Sequence, residues 1–185
     1  MQLGLYFDQT RCTGCGACQV ACKDWYDIPA GPESWLRLTY TEEGRFPDVF
    51  VSYMVMTCYQ CQDPVCVKAC PASAIKKRDE DGIVIVDTEA CLGNKECNEK
   101  CRIACPYDAP QFANEVGAKM RKCQFCIERW QENKLPICVE ACPTRALDAG
   151  PIELMMTKYS GEKDTSGFKY SDRVNPAIVL RPKLK

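Results

Sequence analysis

The sequence predicts an α+β fold of short strands and short helices hung on four cysteine-rich loops. Three observations predict it. Sixteen Cys among 185 residues fall into four groups of four. The segments between them alternate like strands or turn like brief helices, and long apolar runs are scarce, Val49 to Met56 and Ile83 to Val86 being among the best. The motif A-C-P-x-x-A recurs at Cys70, Cys105 and Cys142, an internal repeat.

Leu3 to Phe7 reads as a short strand leading into the first loop. There R-C-T-G-C-G-A-C-Q-V-A-C-K-D-W, from Arg11 to Trp25, spaces Cys12, Cys15, Cys18 and Cys22 as C-x2-C-x2-C-x3-C. Gln19 to Trp25 reads as one or two helical turns. Residues 27 to 57 contain no Cys. Trp35 to Tyr40 alternates like a half-buried strand, Glu42 to Asp48 reads as a turn with Gly44 and Pro47, and Val49 to Met56 returns. This hairpin either packs beside the first loop, the default, or offers a docking surface.

The second quartet, Cys58, Cys61, Cys66 and Cys70, is spaced C-x2-C-x4-C-x3-C and is followed by Pro71. Ala74 to Lys77 and Gly82 to Val86 flank the D-E-D-G turn of a second hairpin. The third quartet, Cys91, Cys97, Cys101 and Cys105, has the irregular spacing C-x5-C-x3-C-x3-C, and a short hairpin about Gly117 is expected from Gln111 to Arg121. The fourth, Cys123, Cys126, Cys138 and Cys142, has an eleven-residue second gap. Within it Ile127 to Glu132 reads as helix, and Pro136 is expected to end the excursion. Pro after the last Cys of three quartets fixes φ where the chain leaves the loop; Cys22 is followed instead by Lys23. Residues 151 to 185 form a polar, mostly irregular tail without Cys. It is either disordered or laid along a partner, and Ile178, Val179 and Leu180 favour the partner because they would otherwise be exposed.

The first quartet has the spacing of the bacterial ferredoxin run, which binds iron–sulfur clusters. Gly14 and Gly16 let the backbone turn with positive φ and approach an inorganic core, and inward N–H groups suit an anionic cluster. There is no His, so Rieske-type and His-ligated haem sites are excluded, as is a Cys2His2 zinc site. Disulfides are disfavoured because repeated C-x2-C triplets suit metal better than a cystine framework. Zinc ribbons, at all four sites or at the irregular third alone, use two separated C-x2-C pairs and leave the close triplets with Cys-Pro unexplained. Apolar residues reach 46% only with Cys counted, so the clusters serve as core and the cluster-free chain is expected not to fold.

The formal net charge of −1 becomes about −9 with four oxidised clusters on sixteen thiolates, which argues against nucleic acid. Lys and Arg gather near the Cys groups (Arg11, Lys23, Lys68, Lys76, Lys77, Arg78, Arg121, Lys122, Arg129 and Arg145). They are either ordinary surface charge or they offset the clusters and tune their potentials. No stretch reaches the about 18 apolar residues of a membrane span. The N-terminus reads as neither a signal peptide nor a twin-arginine leader. No nucleophile–base constellation or nucleotide loop is present.

F-D-Q-T-R-C-T-G-C-G-A-C-Q-V-A-C-K-D, then C-x2-C-x4-C-x3-C-P, then C-P-Y-D-A-P, then C-x2-C-x11-C-x3-C-P resembles the iron–sulfur electron-transfer subunits of the dimethyl sulfoxide reductase and polysulfide reductase family. The match runs from about Leu3 to Ala149. It implies two bacterial-ferredoxin-like units carrying four [4Fe–4S] clusters. One unit comprises 1–26 with 119–150 and the other 58–118, with 27–57 an inserted hairpin and 151–185 a partner-contacting tail. It also implies cross-pairing of quartets. Cluster 1 takes Cys12, Cys15, Cys18 and Cys142; cluster 2 takes Cys123, Cys126, Cys138 and Cys22; cluster 3 takes Cys58, Cys61, Cys66 and Cys105; cluster 4 takes Cys91, Cys97, Cys101 and Cys70.

The third quartet departs from the family's usual C-x2-C-x2-C-x3-C-P. Either its longer loop bulges outward around a normal [4Fe–4S] cluster, or Cys97 misses its iron and a [3Fe–4S] cluster or an altered potential results. The resemblance implies a non-catalytic electron wire between a catalytic subunit carrying molybdenum or tungsten on pterin and a membrane quinone-binding partner or other carrier. The protein is then membrane-associated through its partners. A free-standing soluble polyferredoxin is the alternative, and a zinc scaffold a third reading.

Overall fold

The computed structural model describes all residues, Met1–Lys185. The elements are, in order, β1 (Leu3–Asp8), α1 (Ala17–Trp25), β2 (Leu36–Arg45), β3 (Asp48–Thr57), α2 (Val65–Ala69), β4 (Ile75–Lys77), β5 (Val84–Val86), α3 (Asn94–Cys97), α4 (Lys100–Ala104), α5 (Ile127–Gln131), α6 (Ile137–Glu140), β6 (Leu147–Pro151), α7 (Ile152–Lys158) and β7 (Ile178–Arg181). These are the short mixed elements expected of an α+β protein.

The largest sheet has the order β6-β1-β7. β1 pairs antiparallel with β6, from Leu3 opposite Pro151 to Phe7 opposite Leu147. It pairs parallel with β7, from Leu5 opposite Ile178 to Asp8 opposite Arg181. All six β1 residues are buried. Leu3, Leu5 and Phe7 face the main core, and Tyr6 packs with Ile152, Met155, Ala177 and Val179. A strand covered on both faces reads as a continuous apolar run, as L-G-L-Y-F does.

β7 corrects the expectation for the tail. Ile178, Val179 and Leu180 are 4%, 4% and 0% exposed, covered by the protein's own sheet, so they need no partner to hide them. The irregular tail also contains the α7 turn before this strand. A parallel pairing to the N-terminal strand cannot be read locally, because its partner lies more than 170 residues away.

The first hairpin is longer than expected. β2 and β3 stay paired from Leu36 opposite Thr57 to Arg45 opposite Asp48, so the turn contracts to Phe46 and Pro47. Its inner half is buried through Leu36, Met54 and Val55, while Tyr40 and Phe46 project outward. β4 and β5 form the second hairpin in the expected register about Asp79 to Gly82. The third reduces to a single bridge between Gln111 and Arg121. Pro136 stands where the excursion returns to Cys138 and opens α6 at its N-cap, where a missing N–H costs nothing.

Proline explains where two of the loop helices, α2 and α4, stop. Cys70 and Cys105 hold extended backbone, with φ/ψ of −76°/112° and −80°/120°, and each terminates its helix. The following Pro clashes with a helical conformation at the residue before it. Cys22 has no such Pro, and α1 runs past it to Trp25. α1 packs against α6, and α2 against α4.

Candidate functional site

The structure gathers the cysteines into four sets, each drawn from two quartets. Cys12, Cys15, Cys18 and Cys142 line one cavity with Phe7, Leu38 and Val55. Cys58, Cys61, Cys66 and Cys105 line a second with Tyr59, Tyr107 and Lys122. Cys70, Cys91, Cys97 and Cys101 line a third with Ile75, Phe112 and Met120. The fourth set is visible through its electrostatics. The Cys22 thiol is pushed up by burial and then by Cys123 and Cys126, and Cys138 by burial and then by Cys123, Cys126 and Cys22.

All sixteen thiols are free. No three Cys, Asp or Glu side chains converge where one metal ion would sit. Thiols standing around a shared space, and not closing on a point, fit a polynuclear core of cubane size better than a lone zinc ion. Burial pushes the Cys18 thiol up to about 11 and Cys66, Cys101 and Cys123 up to about 12, with neighbouring sulfurs adding to each. Thiolates so crowded need a cationic core among them. Cys142 differs. Burial raises it, but donation from the Thr144 hydroxyl and the Ala146, Leu147 and Thr144 N–H groups outweighs that and holds it below the usual thiol value. The Ala146 N–H lies 3.2 Å from its Sγ.

Sulfurs of different sets neighbour one another. Cys18 acts on Cys138, joining the first set to the second. Cys58 acts on Cys123, joining the second to the third, and Cys101 acts on Cys66, joining the third to the fourth.

The loops are positioned by specific hydrogen bonds. At the end of β1, the Asp8 carboxylate accepts from the Thr10 N–H at 2.9 Å and hydroxyl at 2.6 Å, while its carbonyl accepts the Cys12 N–H at 3.2 Å. Gly14 has φ +74°, and a Cβ there would meet the Tyr53 ring at 2.3 Å, so β3 packs directly on the first loop. The Met120 N–H donates to Cys91 Sγ and the Phe125 N–H to Cys123 Sγ, each at 3.4 Å.

The irregular third quartet brings Cys97, 9% exposed, to its cavity by two devices. Asn98 and Glu99 both adopt left-handed backbone, φ 49° and 50°, which separates α3 from α4 and absorbs the extra residue. The longer Cys91–Cys97 loop carries Leu92, Lys95 and Glu96 to the surface and is clasped at Asn94. The Asn94 N–H and side-chain amide donate to the Ala118 and Glu115 carbonyls at 3.0 Å each, and its Oδ1 accepts the Gly117 N–H at 2.8 Å.

Several positioning residues carry no sequence signal beyond standing next to a Cys loop. Gln9, 1% exposed, donates to the Tyr53 and Ser166 carbonyls and accepts the Lys183 N–H, tying the first loop to the hairpin and the tail. Gln60, fully buried, donates to the Cys58 and Cys123 carbonyls and accepts the Val84 N–H. Arg37 reaches from β2 to the Tyr107 and Asp108 carbonyls. The basic residues near the loops divide. Arg78, Arg121 and Arg129 pair with carboxylates, whereas Lys122 is 1% exposed and has none.

Residues 11–74 and 49–152 each match a 4Fe-4S dicluster domain family, the second spanning more than half of the sequence. The protein is similar to the B subunit of the anaerobic dimethyl sulfoxide reductase of Escherichia coli K12, 40% identical over 98% of its own length and 89% of that subunit. It is similar to the corresponding subunit of Haemophilus influenzae, 40% identical over 98% and 89%. It belongs to the family of dimethyl sulfoxide reductase iron–sulfur subunits. Protein NrfC of E. coli K12 is a further relative, 36% identical over 98% of this sequence and 81% of that protein. Like the reductase B subunits, this member is an electron-transfer subunit of a reductase complex and not its catalytic subunit. The family resemblance drawn from the four cysteine motifs is thereby established along almost the whole length.

Proposed function

We propose that the protein conducts electrons through four iron–sulfur clusters aligned in the order of the thiol sets. The observation that carries this is the gathering of the sixteen cysteines into four sets of four, three of them lining cavities, with neighbouring sulfurs linking each set to the next. Each cluster, when bound, supplies a one-electron carrier. Cys12, Cys15, Cys18 and Cys142 hold the first; Cys22, Cys123, Cys126 and Cys138 the second; Cys58, Cys61, Cys66 and Cys105 the third. Cys70, Cys91, Cys97 and Cys101 hold the fourth, and the buried position of Cys97 supports a complete [4Fe–4S] cluster there over a [3Fe–4S] one. The backbone N–H donors at Cys91, Cys123 and Cys142 favour the more negative, reduced state at those sulfurs.

The two-unit division, 1–26 with 119–150 against 58–118, is supported by the β1–β6 pairing and α1–α6 packing in the first and by α2–α4 packing in the second. In this reading the partners are a molybdopterin-containing catalytic subunit and a membrane quinone-side subunit, by extension from the dimethyl sulfoxide reductase relatives. No helix here is long and apolar enough to cross a membrane, so contact with the bilayer comes through a partner.

Anaerobic isolation of the native complex tests this. The expected result is co-elution with a molybdenum- or tungsten-containing subunit, with cluster signals that appear on adding a quinol and disappear on adding the complex's oxidant. Elution as a cluster-loaded monomer from native cells would favour the free carrier instead.

A further inference from the structure

We propose that Lys122 is a fixed counter-charge at the midpoint of the wire, raising the reduction potentials of the clusters held by the second and third thiol sets. The inference rests on the four-cluster reading above and assigns a tuning residue within it.

Lys122 is 1% exposed and lines the cavity of Cys58, Cys61, Cys66 and Cys105. It immediately precedes Cys123 of the second set. Its ammonium donates to the Cys123 carbonyl at 3.0 Å and to the Val84 carbonyl. Gln60 holds the same two residues, its amide donating to the Cys123 carbonyl at 3.2 Å and accepting the Val84 N–H at 2.8 Å. The ammonium is therefore fixed in place. It belongs to none of the twelve ion pairs in the molecule. Arg129, also buried and near Cys126, differs because Glu140 neutralises it.

A buried cation without a carboxylate is costly unless another anion faces it. Here the available anions are the cysteine sulfurs, and among the charges acting on Cys66 Lys122 is the one that favours its thiolate. One-electron reduction of a cluster breaks no bond and adds one negative charge beside this ammonium. That addition is easier with the cation present, so the potential rises.

The test is an anaerobic dithionite titration of the complex, followed by electron paramagnetic resonance, for wild type, K122Q, K122M and K122R. At the potential that half-reduces the two middle clusters in wild type, K122Q and K122M should lower the reduced-to-oxidised ratio roughly tenfold or more. The outer two clusters should move less, and K122R should stay near wild type. If the neutral variants fail to load clusters while K122R loads them, the counter-charge role is also supported. Neutral variants that load four clusters with unmoved potentials would overturn it, as would equal loss of clusters in all three variants. Failure of the underlying reading is distinct, because wild type would then lack iron and sulfide.

Discussion

Replacing Leu180 by Ala should weaken the first cluster site, although residue 180 lies far along the sequence from any of its ligands. Leu180 is fully buried and pairs with Phe7 in β1. Phe7 itself lines the cavity of Cys12, Cys15, Cys18 and Cys142, and β1 leads directly into the Asp8 turn that holds the Cys12 N–H. Truncating a fully buried Leu costs about 3 kcal/mol, from lost transfer energy plus the cavity left behind. For a protein of this size that lowers the midpoint of thermal unfolding by about 6–12 °C. The assay is anaerobic heating with visible absorbance recording cluster bleaching. Leu184, 79% exposed, provides the control, and L184A should bleach within about 2 °C of wild type. If L180A bleaches at the wild-type temperature, or no earlier than L184A, then β7 is not part of the scaffold of the first site and the reasoning fails.

G14A should lose the first cluster selectively, because it combines positive φ with a Cβ placed 2.3 Å from the Tyr53 ring. G16A shares positive φ but meets nothing, so it should cost only about 1–2 kcal/mol and keep its iron; equal iron loss in both would remove the role assigned to Tyr53. Asp148 accepts from Lys158 at 2.8 Å and Tyr159 at 2.6 Å, fastening α7 to β6. D148A should speed amide exchange over residues 152–159 by roughly 5–30-fold, the equivalent of about 1–2 kcal/mol. Burial raises the Asp148 carboxyl, but these hydrogen bonds outweigh it and hold it below its ordinary 3.8; this fastening is therefore complete above about pH 4 and is lost as pH falls through the depressed value. Unchanged exchange in D148A would show the contact contributes nothing. Stripping the clusters anaerobically with a chelator should abolish the cooperative melt seen by circular dichroism, since sixteen free thiols, most of them buried or half-buried, remain where the core was; a native-like melt of the stripped protein would contradict this.

The four loops were legible because ligation imposes short, fixed spacings, and the helix stops at Cys70 and Cys105 follow from the Pro after each. β1 and the β4–β5 hairpin were legible from local pattern. What escaped depends on residues distant in sequence. Ile178 to Leu180 read as exposed because nothing near them shows that β1 offers a free edge. The clasp of Asn94 on 115–118 that holds the third quartet's longer loop was not legible, because its partners lie beyond the loop itself. That Pro136 also opens α6 was not legible, since the short turn Ile137–Glu140 carries no helical periodicity of its own. Gln9 and Gln60 look like ordinary polar surface, and only their burial distinguishes them; Lys122 stands among ten basic residues near the loops, and only its burial without a carboxylate singles it out.

The most direct test of the central claim is the iron and acid-labile sulfide content per polypeptide after anaerobic purification with its partners. The expected content is about sixteen of each, four cubanes with Cys97 among the ligands. About fifteen irons with sixteen sulfides and a paramagnetic signal in the oxidised state would contradict the fourth site as described. Zinc without sulfide would contradict the electron wire altogether.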